Sequence, residues 1–204
     1  MASGLALTGL VAYMLFQATA VTGPTGDIVG LTSLGVTLYT GPMMWVVALA
    51  PLGIVMYMSF GIRNMSASRA QTMFWIFAFL MGLSLSTIFI TYTGASIARV
   101  FFITASTFGA MSIYGYTTKR DLTGFGSFLF MGLIGIIIAS IVNIFMQSPA
   151  LYYGISILGV LIFVGLTAYD TQKIKNMYMA YDSAEVAAKK AIMGALTLYL
   201  DFIN

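Results

Sequence analysis

Apolar side chains run through this chain in long stretches, and polar residues are confined to the short segments between them. Each stretch is apolar on every face and lacks the alternation of apolar and polar positions that a membrane β-barrel requires. Lipid offers backbone amide and carbonyl groups no partner, so such stretches are expected to be membrane-spanning α-helices. The pattern predicts seven spans, at residues 4–21, 42–62, 71–92, 97–117, 124–146, 151–169 and 191–203.

Composition agrees with this interpretation. Apolar residues make up 60% of the chain and charged residues 7%, whereas about a quarter of a soluble domain is charged. So few charges cannot cover a surface that faces water, and most of the exterior is expected to face lipid. We predict an all-α integral membrane protein, a seven-transmembrane-helix bundle in which residues 1–204 form one polytopic domain in the lipid bilayer.

The last apolar stretch is shorter than the others. Residues 191–203 would reach only ~20 Å at about 1.5 Å per residue, short of the roughly 30 Å hydrocarbon core. One interpretation is a short central final helix enclosed by the others, because interrupted elements at membrane depth need surrounding protein or a wet cavity. The other is truncation, and both chain ends are expected to be trimmed.

Basic residues predict the orientation in the membrane. Eight of the nine follow even-numbered spans, at positions 63, 69, 119, 120, 173, 175, 189 and 190, while Arg99 and the acidic Asp27 lie at the other face. Basic residues collect on the cytoplasmic side, so the N-terminus is predicted to be cytoplasmic. Residues 23–41 are predicted to form an outer loop with a weak turn or interfacial segment. The small net charge of +3 gives no reason to expect a nucleic-acid partner.

The missing residue types restrict the chemistry. The chain has no cysteine and no histidine, which leaves carboxylates as the groups that could respond to pH near neutrality. No metal triad, phosphate loop or nucleophile–base pair is evident, so we expect neither an enzyme nor a cofactor. Intramembrane aspartyl proteases, which also use two acids, are an alternative. It is a minor one, because these proteases carry Gly-x-Gly before their second acid, where this chain has Leu198-Tyr199-Leu200.

Two aspartates in apolar surroundings are the candidate functional residues. Asp170 closes the sixth predicted span and Asp201 lies inside the seventh. Each ends a stripe of small or polar residues spaced by three or four, which places the stripe on one helix face. The stripes are Ser156, Gly159, Phe163, Thr167 and Asp170 on one helix, and Gly194, Thr197, Asp201 and Asn204 on the other.

Carboxylates within a membrane turn inward, so the two acids are predicted to face the bundle interior. Two adjacent carboxylates cannot both stay ionised cheaply, and a pair that meets would share one proton. Arg63, or Arg69 in its place, is the candidate cation beside them. The alternatives are a solvated Asp170 next to Lys173, a helix-pairing role for Asp201, and arginines that mark only the cytoplasmic side. Asn143 is predicted to bond across helices.

Three segments carry a family resemblance: FGAMSIYGYTTKRDL at 108–122, YDTQKI at 169–174 and LYLDFIN at 198–204. Together they resemble the Bax-inhibitor-1 family in a bacterial version. The resemblance implies a seven-helix bundle with a central final helix and a pH-sensitive calcium leak. It also implies that Asp170 and Asp201 form the pH-sensing pair and that Arg63 engages them. Two departures are the missing apolar continuation after Asn204 and a long loop between the acids, which holds Asp182 and Glu185.

The leading functional prediction is therefore a calcium leak channel in the inner, plasma membrane of a bacterium, gated by the aspartate pair. The two carboxylates would bind calcium weakly and transiently, with Thr167, Thr197 and Asn204 as candidate pore-lining residues, and protons would compete for the same site. A proton-coupled calcium exchanger is one alternative. A non-transporting scaffold that docks a partner protein through residues 173–190 is the other.

Overall fold

The computed structural model describes residues 1–24, 28–179 and 181–204, so the predicted outer charge Asp27 lies outside the described residues. The chain is overwhelmingly helical. The α-helices are α1 (Ala2–Thr19), α2 (Ser33–Tyr39), α3 (Pro42–Gly61), α4 (Ala67–Leu85), α5 (Ile88–Thr91), α6 (Gly94–Thr117), α7 (Thr123–Met146), α8 (Pro149–Met177) and α9 (Ala184–Ile203). Strands β1 (Ala20–Thr22) and β2 (Ile28–Leu31) pair antiparallel, and a 3₁₀ turn (Ile62–Asn64) follows α3.

Six helical segments within the described residues are long and apolar enough to cross a membrane. They are α1, α3 with its 3₁₀ turn, α4 with α5, α6, α7 and α8. The predicted all-α membrane fold is therefore confirmed, whereas the count of seven spans is not. The helix α9 differs from the other six because it carries Glu185, Lys189, Lys190 and Asp201.

The outward faces of these helices are strongly apolar. In α6 the four consecutive residues Val100, Phe101, Phe102 and Ile103 are each more than half exposed. Consecutive positions on a helix are about 100° apart, so these side chains cover most of its circumference. Contiguous apolar surface of this extent is unusual on a soluble monomer and is the surface that a bilayer covers.

The last two helices are longer than the sequence pattern predicts. The helix α8 continues past residue 169 to Met177, and α9 begins at Ala184 rather than at 191. The prediction of a short final helix was therefore wrong, since α9 has 20 residues and reaches about 30 Å. The physical reason is that polar turns at a membrane surface remain helical, although hydropathy alone treats them as loop. The long loop predicted between the acids is mostly helix.

Residues 20–41 also differ from the predicted loop, because they contain the β1–β2 hairpin and α2. Hydroxyl groups hold this segment in place. Tyr39 Oη on α2 lies 2.7 Å from Ser86 Oγ and 3.2 Å from Thr19 Oγ1, and both of those residues are fully buried. Gly35 packs so closely on Thr19 that an added Cβ would lie 2.5 Å from the Thr19 carbonyl oxygen.

The described chain forms two compact units. The first comprises Met1–Phe101 with Ser183–Ile192, and the second comprises Phe102–Asp182 with Met193–Asn204. In the first unit α4 packs on α1 and α3, with Met58, Phe77 and Ala78 fully buried. In the second unit α7 packs on α8, and Ala168, Leu196 and Tyr199 are almost completely buried.

Among the described residues, Asn143 makes local hydrogen bonds in place of the predicted interhelical one. Its side-chain Oδ1 accepts a hydrogen bond from the backbone amide of Ser148, and its carbonyl accepts one from Gln147. Asn143 therefore shapes the turn that joins α7 to α8, where Gln147 adopts the left-handed conformation with φ 49°. The sequence pattern identified a polar residue on an apolar helix but not the local backbone partner that satisfies it.

Candidate functional site

The second unit brings the two predicted acids together. Asp170 lies in α8 and Asp201 in α9, and a side-chain hydrogen bond links their carboxyl groups. Neither residue is fully exposed, and the Oδ2 atom of Asp201 is buried without a hydrogen-bond partner among the described residues. An ionised carboxylate can only accept hydrogen bonds. Two carboxyl groups in this contact can therefore be linked by a hydrogen bond when one of them carries a proton.

Close contacts at small residues determine this geometry. At Gly115 of α6, an added Cβ would lie 2.2 Å from the carbonyl oxygen of Ala168, so α6 meets the backbone of α8 directly. At Gly194 of α9, the corresponding contact is 3.0 Å from a methyl carbon of Ile174. Because small residues allow helices to approach closely, α8 meets α6 and α9 on either side of Asp170.

An aromatic contact joins α6 to α9. The rings of Phe108 in α6 and Phe202 in α9 meet edge to face, with their centroids 5.5 Å apart. Phe202 is the direct neighbour of Asp201 in the chain. This contact fixes the end of α9 that carries the second acid.

One cation acts on the pair within its own unit. Lys173 interacts electrostatically with Asp170, and its ammonium group lies 5.7 Å from the centre of the Tyr169 ring. From the sequence, Lys173 was expected only as a partner for a solvated Asp170. In the structure Asp170 has both neighbours, the lysine charge and the second acid.

Arg63 lies in the first unit, in the 3₁₀ turn after α3, and its side chain is exposed. Its backbone carbonyl accepts a hydrogen bond from Lys189 Nζ at 3.4 Å, and the same ammonium group donates to the Met65 carbonyl at 2.8 Å. The role of Arg63 as a latch for the acid pair stays a prediction. Arg69 begins α4, where its amide donates to the Ser66 hydroxyl.

The three candidate pore-lining residues each bond to their own helix. Thr167, which is buried, donates to the Phe163 carbonyl at 2.8 Å. The half-buried Thr197 donates to the Met193 carbonyl, and the exposed Asn204 donates to the Leu200 carbonyl. Each threonine hydroxyl has thereby used its one hydrogen and keeps lone pairs that can accept, and the side-chain oxygen of Asn204 can also accept. Their role in a pore stays a prediction.

Two buried hydroxyl groups of the second unit were not predicted from the sequence. The hydroxyl oxygens of Ser112 in α6 and Thr171 in α8 are buried and have no hydrogen-bond partner among the described residues. Both residues occur in the segments that carry the family resemblance, but hydroxyl residues in an apolar helix usually bond to their own backbone. With Asp201 Oδ2 they are the buried side-chain oxygen atoms that lack a hydrogen-bond partner among the described residues, which is uncommon in a protein interior.

The donor set limits what the site could bind. Within the described residues, no group of three or more histidine, cysteine or acidic side chains comes together. Calcium takes six to eight oxygen ligands. Two carboxylates could supply a minority of these, and hydroxyls, carbonyls and water would have to supply the rest, which suits a passing ion.

Comparison with known proteins identifies relatives along the whole chain. A family model described as "Inhibitor of apoptosis-promoting Bax1" matches residues 1–204. The uncharacterized protein RP147 of Rickettsia prowazekii is 48% identical over all of this chain and 81% of its own length. Inner membrane protein YbhL of Escherichia coli K12 is 57% identical over 70% of this chain and 62% of its own length.

A third relative, an uncharacterized protein of Caulobacter vibrioides, is 47% identical over all of this chain and 80% of its own length. A family model that covers every residue, with relatives of this identity in several bacteria, agrees with the resemblance seen in the three motifs. The chain therefore belongs to the Bax-inhibitor-1 family.

Proposed function

We propose that this protein is a pH-sensitive calcium leak channel whose gate is the proton shared by Asp170 and Asp201. The observation that carries the proposal is the hydrogen bond between two carboxyl groups on neighbouring helices of an apolar protein. When the shared proton leaves, two negative charges remain in contact. Their repulsion is about 4 kcal/mol at 4 Å and an effective dielectric of 20, which is enough to separate α8 from α9 locally.

Calcium is the cargo that best fits the available oxygens. The carboxylates attract a divalent cation, and the unsatisfied hydroxyls of Ser112 and Thr171 lie in the same unit. Protons and calcium compete for the same carboxylate oxygens, so permeation depends on pH. A site with so few charged ligands holds the ion weakly, which suits passage better than storage.

The setting is the inner membrane of a bacterium, with the N-terminus in the cytoplasm. The relative YbhL is named an inner membrane protein, and six segments of this chain could cross a bilayer. The excess of basic residues at the ends of α3, α6 and α8 supports the orientation. We propose no catalytic activity and no resident cofactor.

Calcium flux into proteoliposomes with an entrapped indicator tests this function. Wild-type flux should change by about tenfold between roughly pH 5 and pH 8, because the coupled pair loses its shared proton in this range. In Asp201→Asn the amide donates to Asp170 at every pH, so the flux should vary by less than about twofold. Asp170→Asn should behave alike.

The matched control is Glu185→Gln, which removes an acid from the first turn of the same helix α9. It should retain the wild-type pH profile. An Asp201→Asn channel with that profile would contradict the gating role. Uphill calcium movement driven by an imposed proton gradient would identify an exchanger instead of a leak, and absence of flux from folded protein would favour the scaffold.

A further inference from the structure

We propose that Gln172 is the positioning residue that holds Asp170 toward α9, which deepens the proposed gating site and rests on it. The Gln172 side-chain amide makes two hydrogen bonds, which span 50 and 52 positions of sequence. Its Oε1 accepts from the Leu122 backbone amide at 2.9 Å, and its Nε2 donates to the Arg120 carbonyl at 2.8 Å. One side chain thus fastens α8 to the connection between α6 and α7.

The geometry of a helix explains why this attachment orients Asp170. Successive residues are about 100° apart, so Gln172 projects about 200° away from Asp170, on the opposite side of α8. Ile174 lies only about 40° from Asp170, and it is the residue that meets Gly194 of α9. The face with Asp170 and Ile174 therefore meets α9, while the face with Gln172 meets the α6–α7 connection.

Other residues on the Gln172 side of α8 hold the same two helices. The Ala168 backbone meets Gly115, and the Tyr169 ring would lie 2.4 Å from a Cβ added at Gly126 of α7. Lys175 Nζ donates to the Tyr116 carbonyl at 2.7 Å. Residues before and after Asp170 thus contact α6 and α7. These contacts resist rotation of α8 about its axis on both sides of the acid.

Among these contacts, loss of the Gln172 hydrogen bonds should change the orientation of Asp170 most directly. The glycine contacts exclude other side chains but carry no hydrogen bond, and Lys175 is exposed and bonds over a long flexible stem. Gln172 satisfies both a donor and an acceptor of the connecting backbone, and Leu122, whose amide it binds, is buried. We therefore expect Gln172 to determine the orientation of the Asp170 side of the helix.

The absence of natural cysteine allows a direct test of orientation. In an Asp170→Cys, Asp201→Cys protein, a short bifunctional thiol reagent should cross-link α8 to α9, because the two positions are in contact. Adding Gln172→Met, which keeps the length of the side chain and removes both hydrogen bonds, should slow cross-linking about tenfold. Gln172→Glu keeps the acceptor for the Leu122 amide and should give an intermediate rate. Gln71→Met, at an exposed glutamine of α4, should cross-link at the original rate.

Two further measurements on Gln172→Met alone complete the test. Hydrogen exchange at the Leu122 amide should accelerate, since its acceptor is gone, and the pH midpoint of calcium flux should move. Unchanged cross-linking despite a faster-exchanging Leu122 amide would make Gln172 only a loop anchor, and an unchanged amide would refute the hydrogen bond itself. If Gln172→Met slows cross-linking but the wild-type protein shows no pH-dependent flux, this inference stands and the proposed function is overturned.

Discussion

Asp121 illustrates what a single side chain contributes in the connection between α6 and α7 of the second unit. It lies just before α7, where its Oδ1 accepts hydrogen bonds from both the hydroxyl and the backbone amide of Thr123. The bond from the Thr123 hydroxyl, and to a smaller extent the bond from the Thr123 backbone amide, lower the pKa of Asp121 below its ordinary value. A carboxylate at this position also suits the positive end of the helix dipole.

Replacing Thr123 by valine should raise the pKa of Asp121 toward its ordinary value, because the hydroxyl donor is lost while the amide donor remains. A lowered folded-state pKa stabilises the protein above the ordinary pKa of aspartate, and that contribution disappears as the pH falls through the lowered value. The carboxyl carbon shift of Asp121, followed by NMR against pH, measures the change.

Thr118→Val is the matched control for this substitution, since Thr118 lies in the same connection and accepts from the Arg120 amide instead. It should leave the titration of Asp121 unchanged. Identical titration curves for Asp121 in the two variants would contradict the assignment of the hydroxyl bond.

At the residue scale, sequence patterns identified Asp170 and Asp201 because a carboxylate is rare and costly within an apolar stretch. Gln172 lies in the YDTQKI motif, but no pattern in the sequence predicts a role for it. Its partners are backbone atoms of Arg120 and Leu122, which any amino acid could supply, so no pattern of side chains indicates the bond. The unsatisfied hydroxyl of Ser112 could not be predicted either, because a serine hydroxyl within a helix usually donates to a backbone carbonyl of that helix.

At the scale of elements, glycines determine which helices meet. Two glycines of α6 form a natural comparison: a Cβ at Gly115 would collide with the Ala168 backbone, whereas one at Gly109 would meet nothing within 4 Å. Backbone atoms cannot move aside as a flexible side chain does. The contact at Gly115 therefore sets the distance between α6 and α8.

Gly115→Ala should destabilise the protein by about 1–3 kcal/mol, because the extra methyl group forces the two helices apart. Gly109→Ala should stabilise it by about 0.5–1 kcal/mol, since alanine favours the helix and the site has room. Thermal unfolding in detergent compares the two variants. Equal melting temperatures would show that α6 and α8 do not pack in direct backbone contact.

Element positions were predicted well where a helix is apolar from end to end, as in α3 and α7. They were wrong at the ends of α8 and α9, where lysines and a glutamate continue the helix into polar surroundings. Hydropathy reports what faces lipid and not what is helical. The hairpin and α2 were not predicted, because a segment rich in glycine and threonine is typical of a loop. The contacts of the Tyr39 hydroxyl with Thr19 and Ser86 join residues far apart in the chain, and no local sequence pattern predicts them.

At the scale of the whole molecule, the expected orientation has a direct test in the cysteine-free background. Tyr181 lies between α8 and α9 and is 83% exposed, and Gln147 lies exposed in the turn between α7 and α8. In inverted membrane vesicles, an impermeant maleimide should label Tyr181→Cys at once and Gln147→Cys only after the membrane is opened. The reverse pattern, or labelling of both from one side, would overturn the cytoplasmic N-terminus.

The length of α8 affects which side of the membrane can supply protons to the proposed Asp170–Asp201 pair. Its 29 residues extend about 43 Å, so a helix of this length cannot lie wholly within the ~30 Å hydrocarbon layer. Asp170 comes about 32 Å along it, with only about two turns between the acid and the C-terminal end of the helix. In the proposed orientation, a hydronium ion from inside the bacterium has a short route to the carboxyls, whereas one from the medium must traverse the bilayer. Under the proposed function, the aspartate pair would thus respond to the pH of the cytoplasm and not to that of the medium.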